Sequence, residues 1–222
     1  MCGKKNIKTI IVNELFLVKS MRFLFLFITL ITCLAFPILF YMIYRVKPDL
    51  FSTYVIEISQ YCFPFFAALL TIFILRNYIE NYNCEIYFLY SKNKVWEALL
   101  ILIFYDIILL FPFLICCIYE RNMVFEYIRI ISQCYLFSSI SYLMLFVTMA
   151  ASVTIIPVFV YLMFSIYNMS GESKIFIFCS FEEMNSSNIL VNIFPIIIAG
   201  TLFYAMGIII NRFRCVQYNI GL

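Results

Sequence analysis

The chain has 222 residues, of which 65% are hydrophobic and only 12% charged, and its mean hydropathy is +1.03. A soluble domain would be about half apolar and about a quarter charged, so this composition predicts a chain that is embedded in lipid. Histidine is absent and the pattern G-x-x-x-x-G-K-[ST] does not occur. These absences exclude histidine-based catalytic triads and zinc sites, as well as ATP binding by a P-loop. We therefore predict that the chain is not an enzyme and has no catalytic residues, metal site or cofactor of its own.

Residues 1–22 form a polar, basic segment with one apolar stripe. Ile7, Ile11, Leu15 and Val18 recur at helical spacing, while lysines and other polar residues gather on the opposite side. This pattern is typical of an amphipathic helix in a membrane surface, and its basic face suits an anionic inner leaflet. The alternative is a solvated arm, but we favour the interfacial helix.

Long apolar runs follow, each about as long as a helix that crosses a bilayer. Because backbone polar groups in lipid must be paired within the chain, these runs predict helices. The predicted spans cover residues 23–44, 54–75, 98–118, 128–149, 152–168 and 189–210. The predicted fold class is therefore all-α, a polytopic membrane domain over residues 23–215 with about six transmembrane helices.

The fourth and fifth spans come from one uncharged stretch, which runs from Arg129 to Glu172. At ~1.5 Å per residue this stretch is too long for a single crossing of a ~30 Å hydrocarbon core, so it must fold back on itself. The predicted turn falls at the small residues Thr148, Ala150, Ala151 and Ser152.

The distribution of basic residues predicts the orientation, because cytoplasmic loops are enriched in lysine and arginine. Ten of the fifteen basic residues fall on one side: Lys4, Lys5, Lys8, Lys19, Arg22, Arg76, Lys92, Lys94, Arg212 and Arg214. We therefore expect a multi-pass protein of the plasma membrane with both termini in the cytoplasm. The abundance of Ile, Lys, Asn, Tyr and Phe suggests an AT-rich, bacterial genome.

The predicted cytoplasmic loop 76–97 contains a short aromatic patch at residues 86–90, flanked by Glu85, Lys92 and Lys94. An apolar patch framed by charges is typical of a surface that binds another protein. The alternative is an interfacial segment that dips its aromatic rings into the lipid headgroups. The residues alone do not favour either reading.

The order of these segments resembles the type-2 ABC exporter permease family, which has a basic amphipathic N-terminal helix, two spans, a coupling loop and four more spans. The family's loop runs from a glutamate through apolar residues to Leu-Pro-x-Ser-Arg. Here Glu85 precedes the apolar patch, Ser91 stands in the proline position and Lys94 in the arginine position.

This resemblance implies a coupling helix over residues 85–95 that binds a separate ATPase subunit, which would hold the ATP and magnesium. Tyr87, Phe88 and Leu89 would fill a groove on the ATPase, with Lys92 and Lys94 at its acidic rim. It also implies a second permease chain, identical or different, as a partner. Besides these proteins we expect contact with the lipid bilayer and none with nucleic acid.

Asp106 lies inside the predicted third span, next to Tyr105. A carboxylate at that depth costs several kcal/mol (about 3 on insertion scales) unless it is paired or faces a wet cavity. One interpretation is a polar point along a translocation path, formed by Asp106 and Tyr105. The other is a structural hydrogen bond between helices.

Two features belong to the last part of the chain. Gly200 and Gly207 are seven residues apart in the last span, on one helical face, and predict close helix packing. The predicted outer segment 169–188 contains an apolar run too short to span, which predicts a re-entrant or surface piece.

The leading functional hypothesis is the permease subunit of an ABC exporter for an amphipathic peptide, antibiotic or lipid-like molecule. A substrate-capture component of an importer would need a polar pocket, for which the spans offer few polar groups. An intramembrane protease using Glu182 and Glu183 would normally need histidine as well. A membrane assembly or immunity protein that acts only by contact remains a further alternative.

Overall fold

The computed structural model describes residues 22–76, 78–79, 94–168 and 189–220. These residues form helices joined by short turns, with no strand among them. The predicted N-terminal interfacial helix, most of the predicted coupling loop and the outer segment 169–188 lie outside the described residues.

The first helical segment, which we call a rod because its parts run on without a loop, contains a π-helical turn. Helix α1 (Arg22–Leu30) continues through a π-helical turn (Ile31–Ala35) into α2 (Phe36–Val46). Pro37 lies two residues after that turn, and a proline ring in an α-helix collides with the carbonyl four residues earlier. The wider π turn gives that carbonyl more room. A short 3₁₀ turn (Pro48–Leu50) then leads into the next helix.

Five further helices complete the described bundle: α3 (Phe51–Arg76), α4 (Lys94–Tyr119), α5 (Met123–Thr148), α6 (Ala151–Asn168) and α7 (Ile189–Ile220). Five segments are long and apolar enough to cross a membrane, namely Phe23–Val46, Pro48–Arg76, Lys94–Tyr119, Met123–Thr148 and Ile189–Arg214. The apolar helix α6 is shorter. The all-helical, membrane-spanning class predicted from the sequence is confirmed.

The predicted turn between the fourth and fifth spans is present. Helix α5 ends at Thr148, Met149 adopts the left-handed conformation with φ of 56°, and α6 begins at Ala151. The Thr148 hydroxyl lies 3.0 Å from that of Thr154, so a hydrogen bond between side chains joins the two helix ends.

Helix α5 is the centre of the bundle and contacts α3, α4, α6 and α7. Within its apolar window 72% of the residues are buried, the largest share among the five candidate spans. Large apolar side chains on the outward faces of the other helices are exposed, including Phe23, Ile107, Phe159 and Phe194. This inside-out distribution fits a lipid surround, since lipid solvates apolar side chains.

Prolines distinguish α5 from its neighbours. Each of the other rods contains one within its helix or first turn: Pro37, Pro64, Pro112, Pro157 and Pro195. Helix α5 contains none. A proline removes one backbone donor and leaves the carbonyl four residues earlier without its helical partner. Among the described spans, α5 therefore stands apart in keeping an uninterrupted hydrogen-bond ladder.

The helix ends define two ends of the bundle. We call the end that holds Arg76, Lys94 and the C-terminal half of α7 the loop end, because residues 77–93 connect α3 and α4 there. The guanidinium of Arg214 donates a 2.9 Å hydrogen bond to the carbonyl of Val147, which places the end of α5 beside it. The connections near Pro48 and Asn122 lie at the opposite end.

Candidate functional site

The predicted contact with an ATPase is the coupling helix over residues 85–95, in the predicted loop 76–97. In the structure, residues 77–93 form the connection between α3 and α4. Glu85, Tyr87, Phe88, Leu89 and Lys92 lie outside the described residues, so their roles stay predictions. The structure does describe both flanks of the loop, Tyr78 and Ile79 on one side and the start of α4 on the other.

Lys94, the first residue of α4, lies inside the bundle. Its side chain is 0% exposed, and its Nζ donates a 3.2 Å hydrogen bond to Oδ1 of Asn211 on α7. The ammonium also lies 5.7 Å from the ring centroid of Tyr78 and 5.5 Å from that of Phe146. These distances fall within the ~6 Å range of cation–π attraction. Lys94 therefore contacts α5, α7 and the residue that follows α3.

The two flanks of the loop are also tied directly to each other. The hydroxyl of Tyr78 donates a hydrogen bond to Oε2 of Glu97, one turn into α4. Tyr78 is 6% exposed, so this contact is shielded from solvent. We call Tyr78, Lys94, Glu97, Phe146 and Asn211 the Lys94 cluster. It is the point where the loop joins the core of the bundle.

Tyr105 and Asp106, the predicted translocation residues, lie farther along α4. Tyr105 is 1% exposed, and its hydroxyl donates a 3.3 Å hydrogen bond to the carbonyl of Phe63 on α3. The main-chain carbonyl of Asp106 accepts a 2.9 Å hydrogen bond from the hydroxyl of Tyr127 on α5. Oδ1 of the same aspartate is buried and has no hydrogen-bond partner among the described residues.

Asp106 does not belong to the Lys94 cluster. Twelve positions separate it from Lys94, which corresponds to about 18 Å along a helix at ~1.5 Å per residue. The aspartate therefore lies near mid-membrane depth, whereas the cluster lies at the loop end.

A third polar group, not predicted from the sequence, lies at the start of α5. Glu126 and Arg129 form a salt bridge and are each 3% exposed along their side chains, and Gln133 is 1% exposed. The predicted fourth span began at residue 128, with Arg129 at its outer end, but the helix begins earlier, at Met123, and contains both charged residues. The i,i+3 spacing of opposite charges was the available signal, since pairing lets both side chains enter a buried face.

The glycines of α7 lie against α5. A Cβ added at Gly200 would lie 2.6 Å from Cε1 of Tyr135, and one at Gly207 would lie 2.6 Å from Cδ1 of Tyr142. Both distances are too short for a real contact, so the rings occupy the space that the glycines leave. Nearby, the hydroxyl of Ser138 lies 2.7 Å from that of Thr71 and 2.7 Å from that of Tyr204. This chain of hydroxyls joins α3, α5 and α7.

Among the residues that the structure describes, no three acidic or cysteine side chains gather where they could hold a metal ion. The apolar exterior and the candidate spans define the chain as a multi-pass helical membrane protein. No known protein family, curated protein or solved structure matches it at a significant level.

Proposed function

We propose that the chain is the membrane-spanning permease subunit of an ATP-driven ABC exporter. It pairs with a second permease chain, and a separate ATPase drives it through loop 77–93. The loop end faces the cytoplasm, residues 1–22 lie along the inner membrane surface, and the cargo is an amphipathic peptide, antibiotic or lipid-like molecule.

The observation that carries this proposal is the anchoring of loop 77–93. Its flanks are bonded to each other through Tyr78 and Glu97, and to α7 through Lys94 and Asn211. A loop attached in this way can pass a displacement to the core helices, which a transport cycle requires. A loop that only connects two spans needs no buried charge at its flank.

Two further observations support the same function. Helix α6 has 18 residues, or about 27 Å at ~1.5 Å per residue, which is close to the thickness of the hydrocarbon core and fits a sixth crossing. Ten of the fifteen basic residues of the sequence fall on the side of the loop end by the predicted topology, as expected of a cytoplasmic face.

The test is co-purification with the ABC ATPase whose gene lies nearest to that of this chain. We expect the wild-type chain to form a stable complex, and Phe88→Glu to abolish it because the substitution places a charge in the predicted apolar contact. Phe213→Glu is the matched control, since Phe213 is 69% exposed on α7 near the loop end, and it should leave the complex intact. A complex that survives Phe88→Glu would show that the loop is not the contact.

A further inference from the structure

Lys94 occupies a position that is unfavourable for a lysine. It is the first residue of α4, where the free backbone N–H groups carry a partial positive charge that disfavours cations. It is also 0% exposed, and a buried ammonium is costly unless polar groups compensate for the lost water. The neighbouring groups must therefore offset this cost.

Those neighbours come from three other parts of the bundle. Asn211 on α7 accepts a hydrogen bond from the Lys94 ammonium. The rings of Phe146 on α5 and of Tyr78, just after α3, lie within cation–π distance of the same ammonium. Because Tyr78 also donates to Glu97, both flanks of loop 77–93 are joined in one cluster. The bond between Lys94 and Asn211 joins α4 to α7 and is charge-assisted, because its donor is an ammonium.

We propose that Lys94 is a positioning residue that fastens loop 77–93 to α7, so that a displacement of the loop moves α7 as well. The driving of that displacement by an ATPase rests on the proposed function, whereas the fastening itself does not. Helix α7 has 32 residues, or about 48 Å at ~1.5 Å per residue. The uninterrupted part of the helix between Pro195 and Asn211 carries a movement imposed at Asn211 along the bundle, and residues 189–194 follow it through the hinge point at Pro195.

The rate of tryptic cleavage after Lys94 tests whether the loop is fastened to α7. Trypsin cleaves after a lysine in a folded protein only where the chain opens locally. In detergent micelles containing the full chain, where trypsin reaches both ends of the bundle, Asn211→Leu should accelerate cleavage after Lys94 about tenfold, as expected when a hydrogen bond to a charged group is lost. Asn211→Asp, which keeps an acceptor, should remain as slow as wild type. The matched control is Asn192→Leu, at the opposite end of the same helix, which should also remain slow. Equal cleavage rates in Asn211→Leu and wild type would overturn the fastening.

Transmission to α7 requires a second measurement, made with the ATPase bound. In a background without native cysteines, Val191→Cys places a reporter at the exposed start of α7, where Val191 is 74% exposed. ATP should change its rate of reaction with a maleimide, and Asn211→Leu should abolish that change while ATP hydrolysis stays within about twofold, because the residue acts on coupling and not on the ATPase.

The trypsin assay tests the fastening and the maleimide assay tests the transmission, so a negative result in one does not decide the other. If the ATP-driven change persists in Asn211→Leu, Lys94 does not transmit the displacement, even if it fastens the loop. If no ATPase binds the wild-type chain, the proposed function fails and the transmission fails with it, while the trypsin result still decides whether the loop is fastened to α7.

Discussion

Asp106 shows how much a single side chain can matter in a lipid-embedded helix. Its main chain is engaged by Tyr127, but Oδ1 has no partner among the described residues. A carboxyl group in that position reduces the free energy of unfolding, because an unsatisfied buried polar atom costs about 1–3 kcal/mol. This cost is compatible with the prediction that Asp106 is a point on a translocation path, and that role stays a prediction.

Asp106→Leu should therefore raise the free energy of unfolding by about 1 kcal/mol or more, since it removes the unsatisfied oxygen and keeps the branched shape of the side chain. Thermal unfolding in detergent micelles measures this change. Ile107→Leu, at a neighbouring position that is 62% exposed, serves as the control and should change little. If Asp106 lines the path, the more stable variant should also transport less. A less stable Asp106→Leu protein would mean that the carboxyl group has a native partner.

The burial of Lys94 in its cluster could not be predicted from the sequence. The resemblance to the exporter permease family implied that Lys94 would meet the acidic rim of a partner ATPase. Its hydrogen-bond acceptor, Asn211, lies 117 positions away in the chain. No local pattern reports such a pairing, so only the three-dimensional arrangement shows that the ammonium is buried.

The contact between helices α5 and α7 depends on two glycines of α7, Gly200 and Gly207, against which tyrosine rings of α5 pack. Tyr142, which occupies the space beside Gly207, is 1% exposed and lies 4.8 Å from the ring centroid of Phe146 and 5.4 Å from that of Tyr204. Its ring is held between these neighbours and has little room to move away.

Gly207→Leu should consequently lower the free energy of unfolding by about 1–3 kcal/mol, the usual cost of overpacking a core. Ala205→Leu is the matched control, because Ala205 is exposed on the same helix and a larger side chain there meets only lipid. Comparing the unfolding temperatures of the two variants in the same detergent tests the prediction. Equal stabilities would mean that α5 and α7 can separate without penalty.

Element boundaries were partly predictable. The length of the uncharged stretch and its small residues located the turn at Met149, because these constraints are local. The first residues of α4 and α5 were harder to predict. Their charged residues, Lys94, Glu97, Glu126 and Arg129, suggested that the spans begin later in the chain. In the structure these charges have partners, and pairing allows charged residues to continue a helix into its buried face.

For the whole molecule, orientation is the property on which the proposed function most depends. In a background without native cysteines, Asp49→Cys at the opposite end should react with a membrane-impermeant maleimide on intact cells, because Asp49 is exposed there. Ser91→Cys in loop 77–93 should react only after the cells are permeabilised, as the excess of basic residues at the loop end predicts. Labelling of Ser91→Cys on intact cells would place the loop outside and exclude contact with a cytoplasmic ATPase.

The prolines set which parts of this molecule can flex. A helix bends most readily where a proline has removed a rung of its hydrogen-bond ladder, and five rods carry such a hinge point while α5 does not. If the chain alternates between two openings as proposed, the surrounding helices would bend at these prolines while the central helix α5, which lacks one, would not. Helix α5 would then keep its conformation while the helices packed against it change their tilt.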